Sequence, residues 1–351
     1  MPKAPTTKHR RARLQDIAES AGVSISCVSL VLGNKARERR ISEEVVKRVR
    51  KAATDLDYSP NIVAQNLQHG RSHTISFFNG FRQANPGDIY MDKLSGGIQV
   101  ACGKLGYDLL VTCDFSRSAE DTYRYLNGGR CDGLVLFAAG EHEPLLPYLQ
   151  ASKLPTVLLN GIDPTERMAS VSEDDASGMS QIADLLVSLG HRRIAAFSHT
   201  GYANLDSVRR VRLLREYLSA YSIHIPERWI LDSNDPEDMH PERDLDTILA
   251  EPEPPTAIFC WHDLLGYRVL EHCARRGIDV PGQISVIGYD GIRWPSASPH
   301  ELASIRVDVA AIAQEAVNVL NERINDPESE FVHRLVPVSL SMGTTLAPPR
   351  A

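Results

Sequence analysis

Apolar residues near the start of the chain recur at the three- and four-residue spacing of a helix, in two short segments separated by a glycine. In the first segment, Ile17, Ala18 and Ala21 follow Leu14 at this spacing. Gly22 can adopt the positive φ of a tight turn, which predicts that the first helix ends there. Two helices joined by such a turn form a module that places its second helix in the DNA major groove.

The second and third helices are each predicted to begin after a serine that can cap the helix. Ser24 precedes a segment in which Val28, Val31 and Leu32 share one face. The opposite face carries Ile25, Ser26, Ser29 and Leu30. Ser42 precedes a third apolar stripe, which consists of Val45, Val49, Ala52, Ala53 and Leu56. Three short helices of this kind can share one small core.

A fourth and shorter helix is predicted in the stretch "YSPNIVAQNLQHGRS". Pro60 disfavours helix at Ser59, Asn61 can begin one, and Gly70 can end it. A helix of about two turns is marginal alone, because nucleation costs more free energy than so few hydrogen bonds return. We therefore expect this helix to need a partner.

The rest of the chain alternates short apolar runs with amphipathic stretches of helix length. One series of runs is "TISFF", "DLLVT", "DGLVLF" and "PTVLL", and the other is "RRIAAFS", "TAIFC" and "ISVIG". Runs bounded by Gly, Pro and Asp and separated by helices predict parallel sheets in α/β units. Two series predict two lobes.

Charge is distributed unevenly between these regions. Residues 1–73 contain 14 Lys and Arg against 7 Asp and Glu, a balance of +7, whereas the remainder contains 24 against 38, a balance of −14. A basic N-terminal region on an acidic chain indicates a polyanionic partner for that region alone. Its Lys and Arg, including those of the loop "GNKARERR", can neutralise phosphates.

Several function classes lack support in the sequence. The six cysteines form no C-x-x-C pair, which argues against a disulfide framework or a zinc module, and we expect no metal and no cofactor. No apolar run is long enough to span a bilayer, and the basic N-terminus lacks the apolar segment of a secretory signal, so a cytoplasmic protein without a membrane partner is expected.

Several motifs resemble the lactose-repressor (LacI-type) family of bacterial transcription regulators. They are "DIAESAGVS" followed by "VS", "LDYSPN", the short helix with Ala64, Leu67 and "GRS", and then "SLGHRRIA", "PTAIFC" before "HD", and "VPGQISVIGYD". The resemblance covers residues 13–345. It implies a multi-domain protein with an all-α helix-turn-helix domain. An α/β two-lobe core of the type I periplasmic-binding-protein-like fold follows, and the chain crosses three times between its lobes.

The resemblance and the hydrophobic pattern together predict four segments. Residues 1–59 form the DNA-binding domain and residues 60–72 form a hinge helix and linker. Residues 73–171 with 307–325 form the first lobe of the effector core, and residues 172–306 with 326–345 form the second lobe.

The resemblance implies a homodimer that binds a pseudo-palindromic operator, in which paired hinge helices enter the minor groove and each inserts a leucine, here Leu67. Such apolar wedges bend DNA. The residues expected to contact DNA are Arg13, Gln15, Ser24, Ile25, Ser26, Ser29, Leu30, Asn34, Tyr58, Asn61, Ala64 and Leu67. Cys27 and Leu30 depart from the family's usual Thr and Arg, so Leu30 and Ile25 offer apolar contact to a thymine methyl instead. The alternative for Leu67 is an ordinary core residue.

Ligands of open α/β sheets bind beyond the carboxyl ends of the strands, which draws attention to the polar residues after each run. The residues expected to contact a small, sugar-like effector are Asn160, Arg210, His262, Asp263, Asp290 and Trp294. Arg210 is carried over from the family's effector-contacting arginine, with Arg209 and Arg212 as alternatives. Asp290 before Gly291 could also be only a turn former, and Trp294 beside Pro295 could be loop packing.

Two other function classes are alternatives to a ligand-controlled repressor. Cys260, His262 and Asp263 could be imagined as a nucleophile site, but members of a catalytic triad usually converge from separate segments, so no enzyme is predicted. The other alternative is a cytoplasmic small-molecule-binding enzyme or receptor in which the basic N-terminus is only an interaction module. The attached DNA-reading module favours the repressor.

Overall fold

The computed structural model divides the chain into two compact units, with the boundary between Arg71 and Ser72. It describes residues 12–59, 70–81, 87–138, 140, 142–161, 163, 165–199, 205–232 and 241–350. We call residues 1–71 the head and residues 72–351 the core. The two units are described separately below.

The described part of the head contains the three predicted helices, which are α1 (Leu14–Ala21), α2 (Ile25–Leu32) and α3 (Glu43–Asp55). Gly22 adopts a φ of 63° and ends α1 as predicted. Both predicted caps are confirmed, because the Ser24 hydroxyl accepts a hydrogen bond from the Cys27 backbone N–H at 3.2 Å and the Ser42 hydroxyl accepts one from the Val45 backbone N–H at 3.4 Å.

Small apolar side chains from all three helices form the core of the head. They are Ile17, Ala18, Ala21, Val28, Val31, Val49, Ala52 and Ala53. The predicted stripe of α3 is wrong at its end, since Leu56 is 38% exposed. Leu56 follows the last helical residue, so the helical spacing that would bury it has already ended.

The elements of the core follow in chain order. Its first half contains β1 (Thr74–Asn79), α4 (Ile89–Lys104), β2 (Asp108–Thr112), α5 (Ala119–Asn127), β3 (Gly133–Phe137), α6 (Leu146–Gln150), β4 (Thr156–Leu159), β5 (Ala169–Glu173) and α7 (Asp175–Ser188). Its second half contains β6 (Ile194–Ser198), α8 (Leu205–Ser219), β7 (Ile230–Asp232), α9 (Pro241–Leu249), β8 (Ala257–Cys260), α10 (Asp263–Arg276), β9 (Ser285–Asp290), β10 (Ala303–Arg306), α11 (Val309–Asn325), β11 (His333–Val336) and β12 (Ser339–Ser341).

Two six-stranded sheets form the two lobes, as the two series of apolar runs predicted. The strand orders are β11-β5-β4-β3-β1-β2 and β12-β10-β9-β8-β6-β7. Every observed pair is parallel except β10 with β12. The central strands are buried along their whole length because helices cover both faces of the sheets. None of the helices in the described ranges has the length and hydrophobicity to cross a bilayer.

The chain passes between the two sheets three times, and the last passage corrects the predicted boundaries. Strand β11 pairs in parallel with β5 of the first sheet, whereas β12 pairs with β10 of the second. The assignment of all of residues 326–345 to the second lobe was therefore wrong. The first lobe also continues past residue 171, since β5 extends to Glu173. Both strands are short and lack the apolar runs on which the assignment depended.

One carboxylate holds the first residues of the core against the start of β3. The Asp132 carboxylate accepts hydrogen bonds from the Ser72 backbone N–H at 2.6 Å, from the Ser72 hydroxyl at 2.8 Å and from the His73 backbone N–H at 2.9 Å. Hydrogen bonds to an ionised group are stronger than neutral ones, so the chain is fixed where β1 begins.

Candidate functional site

The first candidate site is the outer face of α2 in the head. Ser24, Ile25, Ser26 and Ser29 are exposed there, and Ile25 is 48% exposed although it is aliphatic. Leu30 is half-buried. A short helix that presents small polar side chains and one aliphatic side chain can lie against base edges and a thymine methyl.

Other predicted DNA contacts in the head also make contacts within it. The exposed Gln15 amide donates to the Glu19 carboxylate at 3.1 Å, and the Asn34 side-chain oxygen accepts from Arg50 at 3.3 Å. Tyr58 packs against the core of the head, and burial raises the pKa of its hydroxyl. Arg13 is exposed at the start of α1. The predicted contacts Asn61, Ala64 and Leu67 lie outside the described residues.

The loop between α2 and α3 is strongly basic. Lys35, Arg37, Arg39 and Arg40 are all exposed in it. Cations that flank a helix-turn-helix neutralise DNA phosphates and so supply affinity that does not depend on sequence. The loop and the outer face of α2 together form what we call the reading surface.

The second candidate site lies in the core, at the carboxyl ends of strands from both sheets. Asn160 directly follows β4 and Glu173 ends β5 of the first sheet. In the second sheet, Trp261 and His262 directly follow β8, and Asp290 ends β9. This is the edge at which open α/β sheets bind ligands.

Arg210, on α8, is the centre of this second site. It is 3% exposed, and its guanidinium donates to Asp175 at 2.9 Å, to Glu173 at 2.7 Å, to the Trp261 carbonyl at 2.7 Å and to Asp290 at 3.4 Å. Four of its five N–H groups are therefore engaged. Its carbon Cζ also lies 3.7 Å from the centre of the Tyr289 ring. A side chain at Gly178 would overlap that ring.

A second guanidinium binds the same acidic cluster. Arg209 donates to Asp175 at 2.7 Å and to Asp206 at 2.8 Å. Oxygens of Glu173, Asp175 and Asp206 lie within 4.8 Å of one another, close enough to hold a cation. The two arginines supply positive charge to these oxygens, so the cluster is an ion-pair network in the described structure.

Burial, neighbouring carboxylates and the two arginines shift the pKa values of the carboxyl groups in this network in different directions. Burial, with the neighbouring Asp175 and Asp206 carboxylates, raises the pKa of Glu173 to about 7. Burial also raises the pKa of Asp290 well above its ordinary value, and the Arg210 charge only partly offsets it. Burial would raise the pKa of Asp175 too, but Arg210 and Arg209 outweigh it and hold that pKa below its ordinary value.

Two polar residues of the site adopt backbone conformations that side chains rarely take. Asp290 has a φ of 104° and Asn160 a φ of 49°. Such positive φ values cost free energy outside glycine and collect at functional sites, where surrounding structure maintains them. The strain at Asp290 is therefore an argument for a role beyond that of a turn former.

Residues of the first lobe connect Asn160 to this network. The Asn160 amide donates to the Tyr90 hydroxyl at 2.9 Å, and the Tyr90 ring stacks on Phe137 with centres 6.2 Å apart. Burial, followed by the Glu173 and Asp290 carboxylates, raises the pKa of Tyr90 well above its ordinary value. Tyr90 thus lies within electrostatic reach of the acidic cluster.

At least five side-chain atoms at this edge are buried but have no hydrogen-bond partner among the described residues. Two are acceptors, the Asn160 Oδ1 and the Glu173 Oε2, and two are donors, the Nε1 of Trp261 and of Trp294. The fifth is the Tyr289 hydroxyl, which can donate or accept. Buried polar atoms are nearly always hydrogen-bonded, so unpartnered ones point to an absent ligand or water. Trp261 and Trp294 are half-buried and also offer ring faces.

His262 caps α10, and Asp263, the first residue of that helix, bonds to β10 and to the loop after β9. His262 Nδ1 accepts a hydrogen bond from the Leu265 backbone N–H at 3.1 Å, and burial lowers the pKa of His262 to about 3. Asp263 accepts from the Ser304 hydroxyl at 2.7 Å and from the Ile292 backbone N–H at 2.5 Å, and burial raises its pKa to about 7. Burial also raises the pKa of Cys260 well above its ordinary value, so its thiol is not activated as a nucleophile.

Comparison with known proteins gives two family models that match parts of the chain and several relatives that match most of it. Residues 13–61 match the family described as bacterial regulatory proteins, lacI family, and residues 183–346 match the periplasmic binding protein-like domain. A repressor of Aliivibrio fischeri, the HTH-type transcriptional repressor PurR, is 31% identical over 327 residues, which are 91% of this chain and 94% of that protein. The chain belongs to the LacI family of bacterial regulatory proteins. A PurR repressor of Vibrio parahaemolyticus is 28% identical over 91% of this chain and 94% of its own length.

Solved structures of LacI-family proteins share the fold. The lac repressor dimer bound to operator and the anti-inducer ONPF superposes with a TM-score of 0.81 at 23% identity, covering 96% of this chain and all of that one. A transcriptional regulator CelR in complex with cellobiose gives 0.67 at 23% identity, covering 96% of this chain and 100% of that one. The helix-turn-helix and two-lobe fold is therefore confirmed, and this LacI-family protein is a transcriptional repressor rather than an enzyme.

The structure brings all six residues predicted to contact an effector to the edge described above or into contact with it. Asn160, His262, Asp263, Asp290 and Trp294 follow or end strands there, and Arg210 reaches it from α8. Glu173, Asp175, Asp206 and Tyr90 were missed. The triplet "EDD" at residues 173–175 was a usable signal, because it follows the alternating run "ASVS" and would place carboxylates at a strand end.

Proposed function

We propose that this repressor binds a sugar-like effector between the two lobes of its core and that the effector changes its affinity for operator DNA. The observation that supports this proposal is the set of unpartnered buried acceptors and donors beside tryptophan rings at the strand ends of both sheets. Hydroxyl groups can satisfy both kinds of atom, and the apolar faces of a sugar pack on rings.

We assign the effector contacts to four of the six predicted residues. Asn160, Asp290 and Trp294 can reach a ligand with atoms that their neighbours leave open. Arg210 has at most one N–H left for a ligand, so its main role is to orient Asp290 and the acidic cluster. We assign structural roles to His262 and Asp263, because the His262 ring caps α10 and the Asp263 carboxylate already accepts hydrogen bonds from Ser304 and Ile292.

On the DNA side, we propose a homodimer whose two heads bind a pseudo-palindromic operator, since two heads give an affinity that one cannot. The reading surface would contact base edges and phosphates, and Leu67 would be the minor-groove wedge. Because the partner is chromosomal DNA, we place the protein on the nucleoid in the cytoplasm. Effector binding would shift the lobes and with them the two hinge segments.

The test is an Asp290→Ala variant, with binding of an operator fragment followed during titration with candidate sugars. A lost hydrogen bond to a charged group costs roughly 1.5 to 3 kcal/mol, or about ten- to a hundredfold in effector affinity. The variant should bind the operator as tightly as the parent without a sugar and fail to respond at concentrations that switch the parent. Asp114→Ala, on an exposed turn, is the control. A variant that responds at the parental midpoint removes Asp290 from the site.

A further inference from the structure

Carboxyl groups outnumber guanidinium groups in the second site. Its carboxyl groups belong to Glu173, Asp175, Asp206, Asp263 and Asp290, and its guanidiniums are those of Arg209 and Arg210. Both arginines bind Asp175. Less of their positive charge is therefore available to compensate the other carboxylates. An uncompensated buried charge is costly, so the site favours whatever neutralises it.

The carboxylates in excess include oxygen atoms that could accept a further hydrogen bond. Among the described residues, the Glu173 Oε2 is buried without a partner, whereas its Oε1 is bound to Arg210 at 2.7 Å. The Asp290 carboxylate contacts Arg210 at the long distance of 3.4 Å. A separate observation comes from the first lobe, where the Oδ1 of Asn160, a residue 2% exposed, is also buried and has no partner in the part of the chain that the structure describes. The Asn160 amide donates a hydrogen bond to the Tyr90 hydroxyl, and the Glu173 and Asp290 carboxylates contribute to the raised pKa of Tyr90.

We propose that the effector carries a protonated amine, so that the ligand class is an amino sugar or a comparable hydroxyl-bearing amine rather than a neutral sugar. This inference rests on the proposed function, because it concerns the same site. An ammonium group has three N–H donors and no acceptor. It therefore matches the open oxygens of Glu173, Asp290 and Asn160, which are acceptors.

An ammonium group also matches this site better than a metal ion does. The three carboxylates close enough to hold an ion are already bound by Arg209 and Arg210, and both guanidiniums would repel a divalent cation about twice as strongly as a singly charged ammonium. The tryptophan rings of the site add a preference for an organic cation, because cations are attracted to aromatic faces. The alkyl part of an amine can pack on these rings, whereas a bare ion cannot.

Binding of an amine should release a proton. Raised pKa values mean that, without a bound cation, the site neutralises part of its charge with protons, and the pKa of Glu173 is about 7. The ammonium replaces that proton, so amine affinity should rise with pH by about tenfold from about pH 6 to about pH 8. Other charged or titratable groups that face this cluster are Tyr90, Asp175, His199, Asp206, Arg209, Arg210, His262, Asp263, Arg268, Tyr289 and Asp290.

The experiment measures binding of matched sugar pairs to the full chain by titration calorimetry. The probes are glucose, galactose and mannose, and the analogue of each in which an amine replaces the primary hydroxyl. For at least one ring we expect the amine to bind ten- to a hundredfold more tightly than its hydroxyl partner. Repeating the titration in buffers of different ionisation enthalpy should show release of a proton below neutral pH.

Two variants test whether the preference for the amine depends on Glu173 and Asp290. Glu173→Gln keeps an oxygen for Arg210 but removes the charge, and it should reduce the preference for the amine at least tenfold and abolish the proton release. Asp290→Asn should reduce the preference as well, which covers the case in which Glu173→Gln does not fold. Glu216→Gln, on the exposed side of α8, is the matched control and should change neither.

Each outcome separates the inference from the proposed function. If a neutral sugar binds as tightly as its amine and switches operator binding, the inference is wrong and the proposed function stands. If an amine binds with the expected preference and leaves operator binding unchanged, the inference stands and the proposed switch fails. A preference that survives both variants places the amine elsewhere and overturns the inference. No binding of any probe at millimolar concentration contradicts both.

Discussion

The head and the core place their functional polar residues in opposite environments. In the head, most side chains of the reading surface are exposed on α2 and its loop, and the buried residues of the helices beneath them are apolar. In the core, Arg210 and its carboxylate partners are themselves buried and bonded to one another. The head therefore separates binding from folding, whereas the core uses the same residues for both.

This difference follows from the partner that each region would receive. DNA is a large polyanion that a flexible, solvated surface can approach, and exposed cations cost little to maintain. A small effector offers few contacts, so each must be made in a desolvated, preorganised place. Substitutions in the reading surface, apart from those at the Ser24 cap, should thus change affinity alone. Substitutions in the acidic cluster should change stability as well.

The largest expected effect is a difference in salt dependence between operator binding by the head and effector binding by the core. Operator affinity should fall by about 0.9 logarithmic units per phosphate for each tenfold increase in salt, so a protein that neutralises about six phosphates loses roughly a thousandfold between about 50 and about 200 mM. Effector binding to the buried site should change far less, because buried charges are poorly screened. Fluorescence anisotropy with labelled operator gives the first slope and calorimetry the second. Equal slopes would contradict the contrast between the regions.

The next effect concerns stability of the core. Arg210→Met leaves the carboxylates of Glu173, Asp175 and Asp290 without their shared partner, and removal of one member of a buried ion network costs about 3 to 5 kcal/mol of unfolding free energy. Arg212→Met, two residues further along α8, removes an exposed pair with Glu216 and should cost less than about 1 kcal/mol.

Denaturant unfolding followed by tryptophan fluorescence measures this loss in the core alone, because all three tryptophans, Trp229, Trp261 and Trp294, lie there. Similar losses for the two variants would show that burial of Arg210 has no energetic consequence. In that case the core would resemble the head in tolerating changes at its functional residues.

The same contrast explains which features were predictable from sequence. The helices of the head were predictable because their apolar spacing, Gly22 and the capping serines are local signals. The seven apolar runs were predictable as strands for the same reason. The other strands in the described ranges, β5, β7, β10, β11 and β12, were missed because their segments "ASVSE", "ILD", "ASIR", "HRLV" and "SLS" are short or contain polar residues, and tertiary pairing makes them strands.

The acidic cluster was only partly predictable because its contacts join distant positions. Arg210 binds Asp175 across 35 residues and Asp290 across 80. A sequence shows that Arg210 lies among other arginines, but not that Arg210 is buried while Arg212 is exposed. The same limit applies to His262, whose ring caps α10 through a hydrogen bond that a pattern of residue types does not reveal.

A smaller effect tests the charge of the core through pH. The folded-state pKa of Glu173 is raised from 4.5 to about 7, so the folded protein binds a proton that the unfolded chain has already lost in this range. This contribution to stability is present at about pH 4.5 and is lost as pH rises to about 7, with a slope of at most about 1.4 kcal/mol per pH unit.

Glu173→Gln should remove this slope, because glutamine does not titrate, and the Trp-detected unfolding free energy should then vary less between about pH 5 and about pH 7. Glu216→Gln is again the control. An unchanged slope in Glu173→Gln would assign the pH dependence to other groups, of which Asp263 and Asp290 also have raised pKa values.

The smallest effect lies in the head and tests whether binding and folding are separate there. Ser24 and Ser42 both cap a helix, at 3.2 and 3.4 Å, but only Ser24 belongs to the proposed reading surface. Loss of a serine cap costs about 1 kcal/mol, so Ser24→Ala and Ser42→Ala should weaken protection of the first amides of α2 and α3 by a similar factor in hydrogen exchange. Operator affinity should fall further for Ser24→Ala than for Ser42→Ala, because only the first variant also removes a hydroxyl that we propose faces DNA. Equal losses of operator affinity would mean that Ser24 acts through the helix alone, and the α2 surface would then combine folding and binding as the core does.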